Sequence, residues 1–480
     1  MSTALILFAA LLAGAPTGTP PEGNGPSELD QLLENVAPVL DGATGYDEAG
    51  DSGAAMTPLA IDLARCVELA LAQNGDVLVA ETEVALREAQ TGQARARRLP
   101  SVKAQAGYSY IDGLDQEIGR PAVRQLIGAE GYAPDKGTFT TNVAVTQIIF
   151  AGGQIRAAVQ ASKYLAQSEA WRGDAVRAEV AYQARMAYHD ALLAHALVTV
   201  AEEALTVFER HLNDTKALQE EGAVTPYEVH RARSEVGARQ ADLASAEAAA
   251  RLADLNIRRL LALPDGQPLV YDRNLPHEPV GATGEALKAR ALEQRPEWRA
   301  LADAVQAGSQ QLRGVKGKYL PQASATVSWN NVENGGKVLP DGWQFNVGAQ
   351  WDLYLGGQRK YEQAEVRARL EGLRIQQADL ERLIALDVEQ SLIRLREATV
   401  AMRTDRENVD VAAESVRLAK LRYQEGYGTQ TEIIDSALVH TKAKTDLVQA
   451  IRDYYVAYAS LQRALGGDPA AVAPEGAVSQ

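Results

Sequence analysis

One order of signals occurs twice in this chain: a helical run ending in Leu-Pro, a pair of alternating strands, then Gly-Gly-Gln opening a very long helix, the last of these 204 residues apart in the two copies. The first copy reads ArgArgLeuPro at Arg97 to Pro100, AlaGlyGlyGln at Ala151 to Gln154 and GluGlyAlaValThr at Glu221 to Thr225. The second reads LysTyrLeuPro at Lys318 to Pro321, LeuGlyGlyGln at Leu355 to Gln358 and GluGlyTyrGlyThr at Glu425 to Thr429. Gly153 to Gly357 and Gly222 to Gly426 share the same offset, so each copy must build the same unit. Pro100 and Pro321 stop a helix, because proline disfavours the helical conformation of its predecessor. Gly152, Gly153, Gly356 and Gly357 mark the joints at which a strand becomes a helix.

The alternation defines the strands. Val102, Ala104, Ala106, Tyr108 and Tyr110 are apolar or aromatic between Lys103, Gln105 and Ser109. In the partner, Phe139 to Ile149, Val143, Val145 and Ile149 lie opposite Thr140, Asn142 and Thr146. In the second copy Ala323, Ala325, Val327 and Trp329 alternate with small polar residues, and Trp343, Phe345, Val347, Ala349, Trp351 and Leu353 do the same. Segments of roughly ten residues, apolar on one side and small and polar on the other, with aromatics near the ends, match strands of a transmembrane barrel. A soluble half-buried hairpin has the same alternation, but its solvent face would carry Lys and Glu. Four strands cannot close, and lipid does not tolerate open edges, so the chain is expected to oligomerise; a trimer supplies twelve strands.

No proline interrupts 154–220 or 358–424, and about 66 residues at about 1.5 Å each give helices of ~100 Å. Each ends at a glycine turn and returns as a shorter helix, 226–263 and 430–465, with Thr225 and Thr429 placed to cap and Pro226 in a first-turn position. The resulting division is 1–15 a signal peptide, from the apolar run Ala4 to Ala15; 16–58 a flexible tether; 59–263 the first repeat, with strand pair 102–149; 264–284 an equatorial connection rich in Pro, Gly and Asp; 285–466 the second repeat, with strand pair 322–353; and 467–480 a flexible tail. Apolar residues recur at helical spacing from Leu59 to Arg98. The connection Ile111 to Gly137 is the longer of the two between paired strands, and is expected to be the larger extracellular loop.

Several functions are disfavoured. A net charge of −15, with every Lys/Arg run close to Glu or Asp, argues against nucleic acid. The single cysteine, Cys66, excludes a disulfide framework and reads as a small buried hydrophobe. His189 and His195 lack the i,i+4 spacing of a helical metal pair. Gly152-Gly153 is not followed by the Lys-Ser/Thr of a phosphate loop, and no nucleophile–base set has supporting context. No enzyme, cofactor or metal is expected; conduction remains.

From Leu59 to Gly466 the chain resembles the TolC family of outer-membrane efflux channels, on the duplicated order above together with TyrGlnGluGlyTyrGlyThr at Tyr423 to Thr429. The resemblance implies a mainly α fold with transmembrane β: a homotrimer, its 12-stranded barrel in the lipid of the cell outer membrane, continuous with a helical barrel in the periplasm of a Gram-negative cell. It implies an exit duct for efflux or type I secretion, with a periplasmic adaptor (membrane fusion) protein and an inner-membrane pump of RND, ABC or MFS type as partners. The turns at Gly222 and Thr225 and at Gly426 and Thr429 would meet the adaptor. Glu432 and Asp435 match family acids that narrow the pore entrance, Tyr423 matches a latch tyrosine, and Gly428 stands where family channels carry a latch arginine. The competing reading is a periplasmic adaptor or coiled-coil scaffold without a pore; adaptors also have long hairpins, but need no apolar-faced strand pairs.

Overall fold

The computed structural model describes residues 58–110, 137–264, 266–272, 284–334, 337–338 and 342–466. The signal peptide, almost all of the tether, the connection 111–136, most of 264–284 and the tail lie outside the described residues.

The chain runs β1 (Leu59–Ile61), α1 (Leu63–Gln73), α2 (Gly75–Ala96), β2 (Ser101–Tyr110), β3 (Gly137–Ala151), α3 (Gln154–Glu220), α4 (Pro226–Leu260), β4 (Leu269–Tyr271), α5 (Gly284–Gln294), α6 (Pro296–Gly317), β5 (Gln322–Asn334), β6 (Lys337–Val338), β7 (Gly342–Gln350), α7 (Gln358–Gln424) and α8 (Gln430–Leu465). Both long helices hold 67 residues.

The helical spacing read from Leu59 to Arg98 is divided in the structure. Leu59–Ile61 pairs in parallel with Leu269–Tyr271, a strand in the connection between the repeats. Asp62 then caps α1 by accepting from Arg65 N at 2.6 Å. Asn74 ends α1 in an extended conformation and caps α2 by accepting from Asp76 N at 2.9 Å, while its Nδ2 donates to Leu260 O. A side chain that competes for backbone N–H groups breaks a pattern that apolar spacing alone would continue. In the second repeat Arg295, in extended conformation before Pro296, makes the corresponding break between α5 and α6.

Two cores follow, one per repeat, at the level of these breaks. In the first, Ile61, Cys66, Val77, Val180, Tyr188, Ile257 and Leu261 pack together. In the second, Leu287, Ile384, Val388, Leu395, Tyr454 and Leu461 do. Cys66 is fully buried, its thiol pushed up to about 12 by burial first and the nearby Asp62 second, which makes it an inert packing residue.

The sheet places β2, β3, β5 and β7 side by side, all antiparallel, with the short β6 also on β5. The helices follow the same order. Above the cores α2, α3, α6 and α7 are neighbours in that sequence, and toward the far turns α4, α3, α8 and α7 are. Each strand is therefore continuous with a helix of the same rank, and every level of the molecule is four elements wide.

The joints have a close-packing reason. Gly152 has φ +57°, and a Cβ there would lie 2.2 Å from Gly317 O and 3.0 Å from Leu320 Cβ. Its repeat counterpart, Gly356, has φ +60° but no atom within 4 Å of that position. We predict that Gly356→Ala costs only left-handed strain, about 1–2 kcal/mol, whereas Gly152→Ala adds a clash with backbone and costs about 2–5 kcal/mol. Apparent Tm of the detergent-purified protein checks this: equal losses for the two variants would contradict the asymmetry.

Candidate conduction wall and periplasmic entrance

The register sorts the sheet's side chains into rows. Val102, Val145, Val327 and Phe345 form one row, and Ala104, Val143, Trp329 and Trp343 the next but one. The intervening rows hold Lys103, Ala144, Ser328 and Gln344, and Gln105, Asn142, Asn330 and Gly342. One face is thus apolar across all four strands and the other small and polar. Among the described residues the apolar face has nothing over it: Phe345 is 76% and Val347 78% exposed. On the polar face Asn142 Nδ2 donates to Asn330 Oδ1 at 2.5 Å, and the hydroxyls of Thr146 and Thr326 are 3.1 Å apart. The alternation extrapolated to Ile149 fails at a bulge between Ile148 and Phe150, where Phe150 rather than Ile149 faces Ala323. Trp351 and Leu353 lie past the end of β7; the Trp351 indole N–H donates to Tyr319 O at 3.1 Å, closing the sheet onto the α6 end. A nine-residue strand such as β7 is about 30 Å long and, tilted by roughly 40°, rises about 23 Å, close to the height of an apolar band ~25 Å tall.

Both edges of the protomer carry unpartnered apolar residues below the sheet. Ile375, Leu383, Leu386, Ile393, Val400 and Val411 are exposed along α7, and Leu78, Val79, Leu86, Leu252 and Leu255 along α2 and α4. Among the described residues α3 alone is long and apolar enough to cross a membrane, with an 18-residue window of mean hydropathy 1.6. It lies between α4 and α8 and against α1, which gives that composition a packing reason.

The seam between α3 and α8, which joins the two repeats, alternates apolar contacts, Ala196 and Val200 with Val448 and Phe208 and Leu212 with Ile434 and Ala437, with ion pairs that run in one direction. Acids on α3 meet bases on α8: Glu179 with Arg463 at 2.6 Å, Asp190 with Arg452 at 2.7 Å and Glu203 with Lys444 at 2.6 Å. At its far end Gln430 Nε2, almost fully buried, lies 2.7 Å from His211 Nε2 and donates to Thr215 Oγ1 at 2.9 Å. Between these, His189 stacks on Tyr455 at 5.0 Å and meets Tyr188 edge-on. Tyr188 donates to Asp272 O and Ile61 O, and Tyr271 donates to Asp254 at 2.6 Å, tying the small parallel sheet to both long helices of the first repeat. None of these pairs is visible from one helix alone. The eleven-residue spacings Glu179 to Asp190 and Arg452 to Arg463 are three helical turns each, a signal that becomes readable only once the two helices are known to be neighbours.

At the far turns Gly222 and Gly426 take φ +77° and +78°, and each turn closes on the preceding helix, Ala223 N to Leu218 O and Tyr427 N to Arg422 O, both 2.8 Å. Thr429 caps α8, accepting from Glu432 N at 3.3 Å. Thr225 does not cap with its side chain: Glu228 N goes to the Thr225 carbonyl instead, and Pro226 offers no N–H. Glu432 and Asp435 stand on the first turns of α8. Glu432 is half-buried, with Arg422 Nη2 of α7 3.8 Å from its carboxylate; Asp435 is exposed. Tyr423 makes no side-chain hydrogen bond among the described residues, so within one chain Glu432 meets Arg422, a residue the sequence did not single out. Among the described residues no group of three metal-ligating side chains occurs.

An open sheet with one bare apolar face, continued by four ranks of helices, is the wall of a tube through a membrane. Residues 66–263 and 287–467 match the family described as Outer membrane efflux protein. The chain belongs to that family. The outer membrane efflux protein BepC of Brucella suis is 25% identical over 422 residues, covering 84% of this chain and 90% of BepC. The outer membrane channel CmeC of Campylobacter jejuni superposes with a TM-score of 0.73 at 16% identity, over 94% of each chain. The outer membrane protein VceC of Vibrio cholerae does so with 0.72 at 16%, over 85% of this chain and 96% of that one. The protein is an outer membrane efflux channel of the TolC family, with a periplasmic helical domain, and it serves tripartite efflux rather than catalysis. Channels of this family assemble as trimers. The adaptor or scaffold alternative is thereby set aside.

His189 lies on the seam, and its burial first, then Arg452 and Arg185, lowers its pKa to about 4. It is neutral in the fold, whereas the unfolded chain binds a proton below about 6.5. Stability is therefore fully present above pH 6.5 and lost as pH falls toward 4, by about 3 kcal/mol. We predict that His189→Phe, which keeps a ring for Tyr455, flattens this part of the profile of Tm against pH; burial pushes His211 and His440 the same way and leaves a residual slope. An unchanged profile would refute the assignment.

Proposed function

We propose that three copies of this chain close into one duct, a twelve-stranded barrel in the outer membrane leading into a twelve-helix periplasmic tunnel. Cargo delivered by a periplasmic adaptor and an inner-membrane pump would pass through it passively. The observation that carries this reading is the open four-stranded sheet: the outer edges of β2 and β7 pair with no other strand among the described residues, and lipid offers no partner. The matching apolar stripes on α7 and on α2 and α4 support closure of the same edges below the membrane.

The turns at Gly222 and Thr225 and at Gly426 and Thr429 are proposed as the surfaces that meet the adaptor. Glu432 and Asp435 are proposed as the acids of the entrance. They lie three apart on one face of α8, and three-fold symmetry makes each a ring of carboxylates that favours cations and repels itself when ionised. Tyr423 is proposed as part of the closure between protomers. The adaptor and the pump, of RND, ABC or MFS type, set the cargo.

The test is conductance in planar bilayers. Purified channel carrying Glu432→Ala and Asp435→Ala should lose cation selectivity and pass more current near neutral pH. Unchanged current and selectivity would remove both residues from the entrance.

A further inference from the structure

The two entrance acids stand in different electrostatic surroundings. The first turn of α8 carries Glu432, and the last turn of α7 carries Arg422, ten residues earlier on the opposite arm of the hairpin. The Arg422 guanidinium reaches across the turn. Its Nη2 is 3.4 Å from Tyr427 O and 3.8 Å from Glu432 Oε2. The Arg422 carbonyl in turn accepts from Tyr427 N at 2.8 Å and from Gly428 N at 3.0 Å, so the turn is folded onto this residue from both ends. Gly428 permits the fold: a Cβ there would lie 3.0 Å from Tyr423 N and 3.1 Å from both Arg422 C and Cβ. A larger residue at 428 would lift the turn away from α7 and carry Glu432 out of reach of Arg422. Asp435, one turn further on, is exposed and has no ion pair among the described residues. The other guanidinium at this end of α8, Arg231 of α4, is engaged with Thr431 Oγ1 at 2.8 Å and forms no ion pair with either acid.

We propose that Arg422 is a selectivity-determining residue of the channel: it offsets Glu432 in place, so that of the two entrance acids Asp435 is the one an ion meets as an uncompensated charge. This rests on the reading of Glu432 and Asp435 as entrance acids. The physical reason is one of distance. An exposed pair of this kind adds little to stability. An ion passing within a Debye length of about 8 Å, however, sees a carboxylate and a guanidinium 3.8 Å apart as a dipole, and a lone carboxylate as a charge. Counted over Glu432, Asp435 and Arg422 alone, Arg422 reduces two negative charges per chain to one. Gly428, by giving up a side chain, brings the compensating cation from the end of α7.

Reversal potentials in a KCl gradient across planar bilayers test this, on assembled channel with heat-resistant assembly as the folding control. Arg422→Gln should raise the ratio of potassium to chloride permeability by roughly twofold or more. Arg422→Lys, which keeps the charge and loses the fork to Tyr427 O, should leave the ratio near that of the parent, which separates a charge effect from a structural one. Arg422→Gln combined with Glu432→Gln should return the ratio to the parent value, since the same net charge remains. Asp435→Asn should lower it. If Asp435→Asn lowers the ratio and Arg422→Gln does not change it, the compensation is wrong while the entrance reading stands. If Asp435→Asn, Glu432→Gln and Arg422→Gln all leave the ratio unchanged, the entrance reading falls and the compensation with it.

Discussion

A β-sheet in lipid must have no free edge, because unpaired N–H and C=O groups find no water there, and this chain brings only four strands to the membrane. The rest of the architecture can be read as a consequence. The strands are too few to close, so closure must come from other copies. Each strand is bonded to a helix of the same rank, so the closure made in the membrane is imposed on the helices for their whole length. The apolar stripe on α7 and its counterparts on α2 and α4 lie on the same outer ranks as β7 and β2. In the proposed trimer one symmetry operation would therefore seal both the membrane and the periplasmic halves.

Within the protomer a different balance holds. Each repeat has its own apolar core at the level where the short helices break, and those cores hold α1, α2 and α4 to α3, and α5 and α8 to α7. The seam between repeats is also lined by ion pairs of one polarity and by amide and imidazole groups. Partly exposed ion pairs contribute modestly and are screened by salt. The ion pairs thus fix the register of a seam whose burial comes from the apolar contacts of α3 with α8.

The sequence made legible what backbone chemistry dictates. Gly152, Gly153, Gly356 and Gly357 all have positive φ, and the strand alternation predicted the apolar and polar faces as far as Thr146. What stayed hidden depended on partners distant in the chain. Asn74 reads as an ordinary position in a helical pattern until its cap to Asp76 and its bond to Leu260 O are seen. The three-residue pairing of Leu59–Ile61 with Leu269–Tyr271 is too short to register as a pattern. At Ile149 a bulge adds a residue that alternation cannot count, and Phe150 takes the place opposite Ala323. The resemblance singles out Glu432 and Asp435 but not Arg422, since helices commonly end in a basic residue for reasons of dipole alone. Gly428 looked like the loss of a side chain, and its meaning lies in what it allows to approach.

The central claim is that one chain is an open third of a tube. The stoichiometry of the assembly extracted from outer membranes in mild detergent, read by native mass spectrometry, addresses it most directly. Three chains per particle is the predicted result. A stable monomer or dimer, with the edges of β2 and β7 left open in the detergent belt, would contradict it.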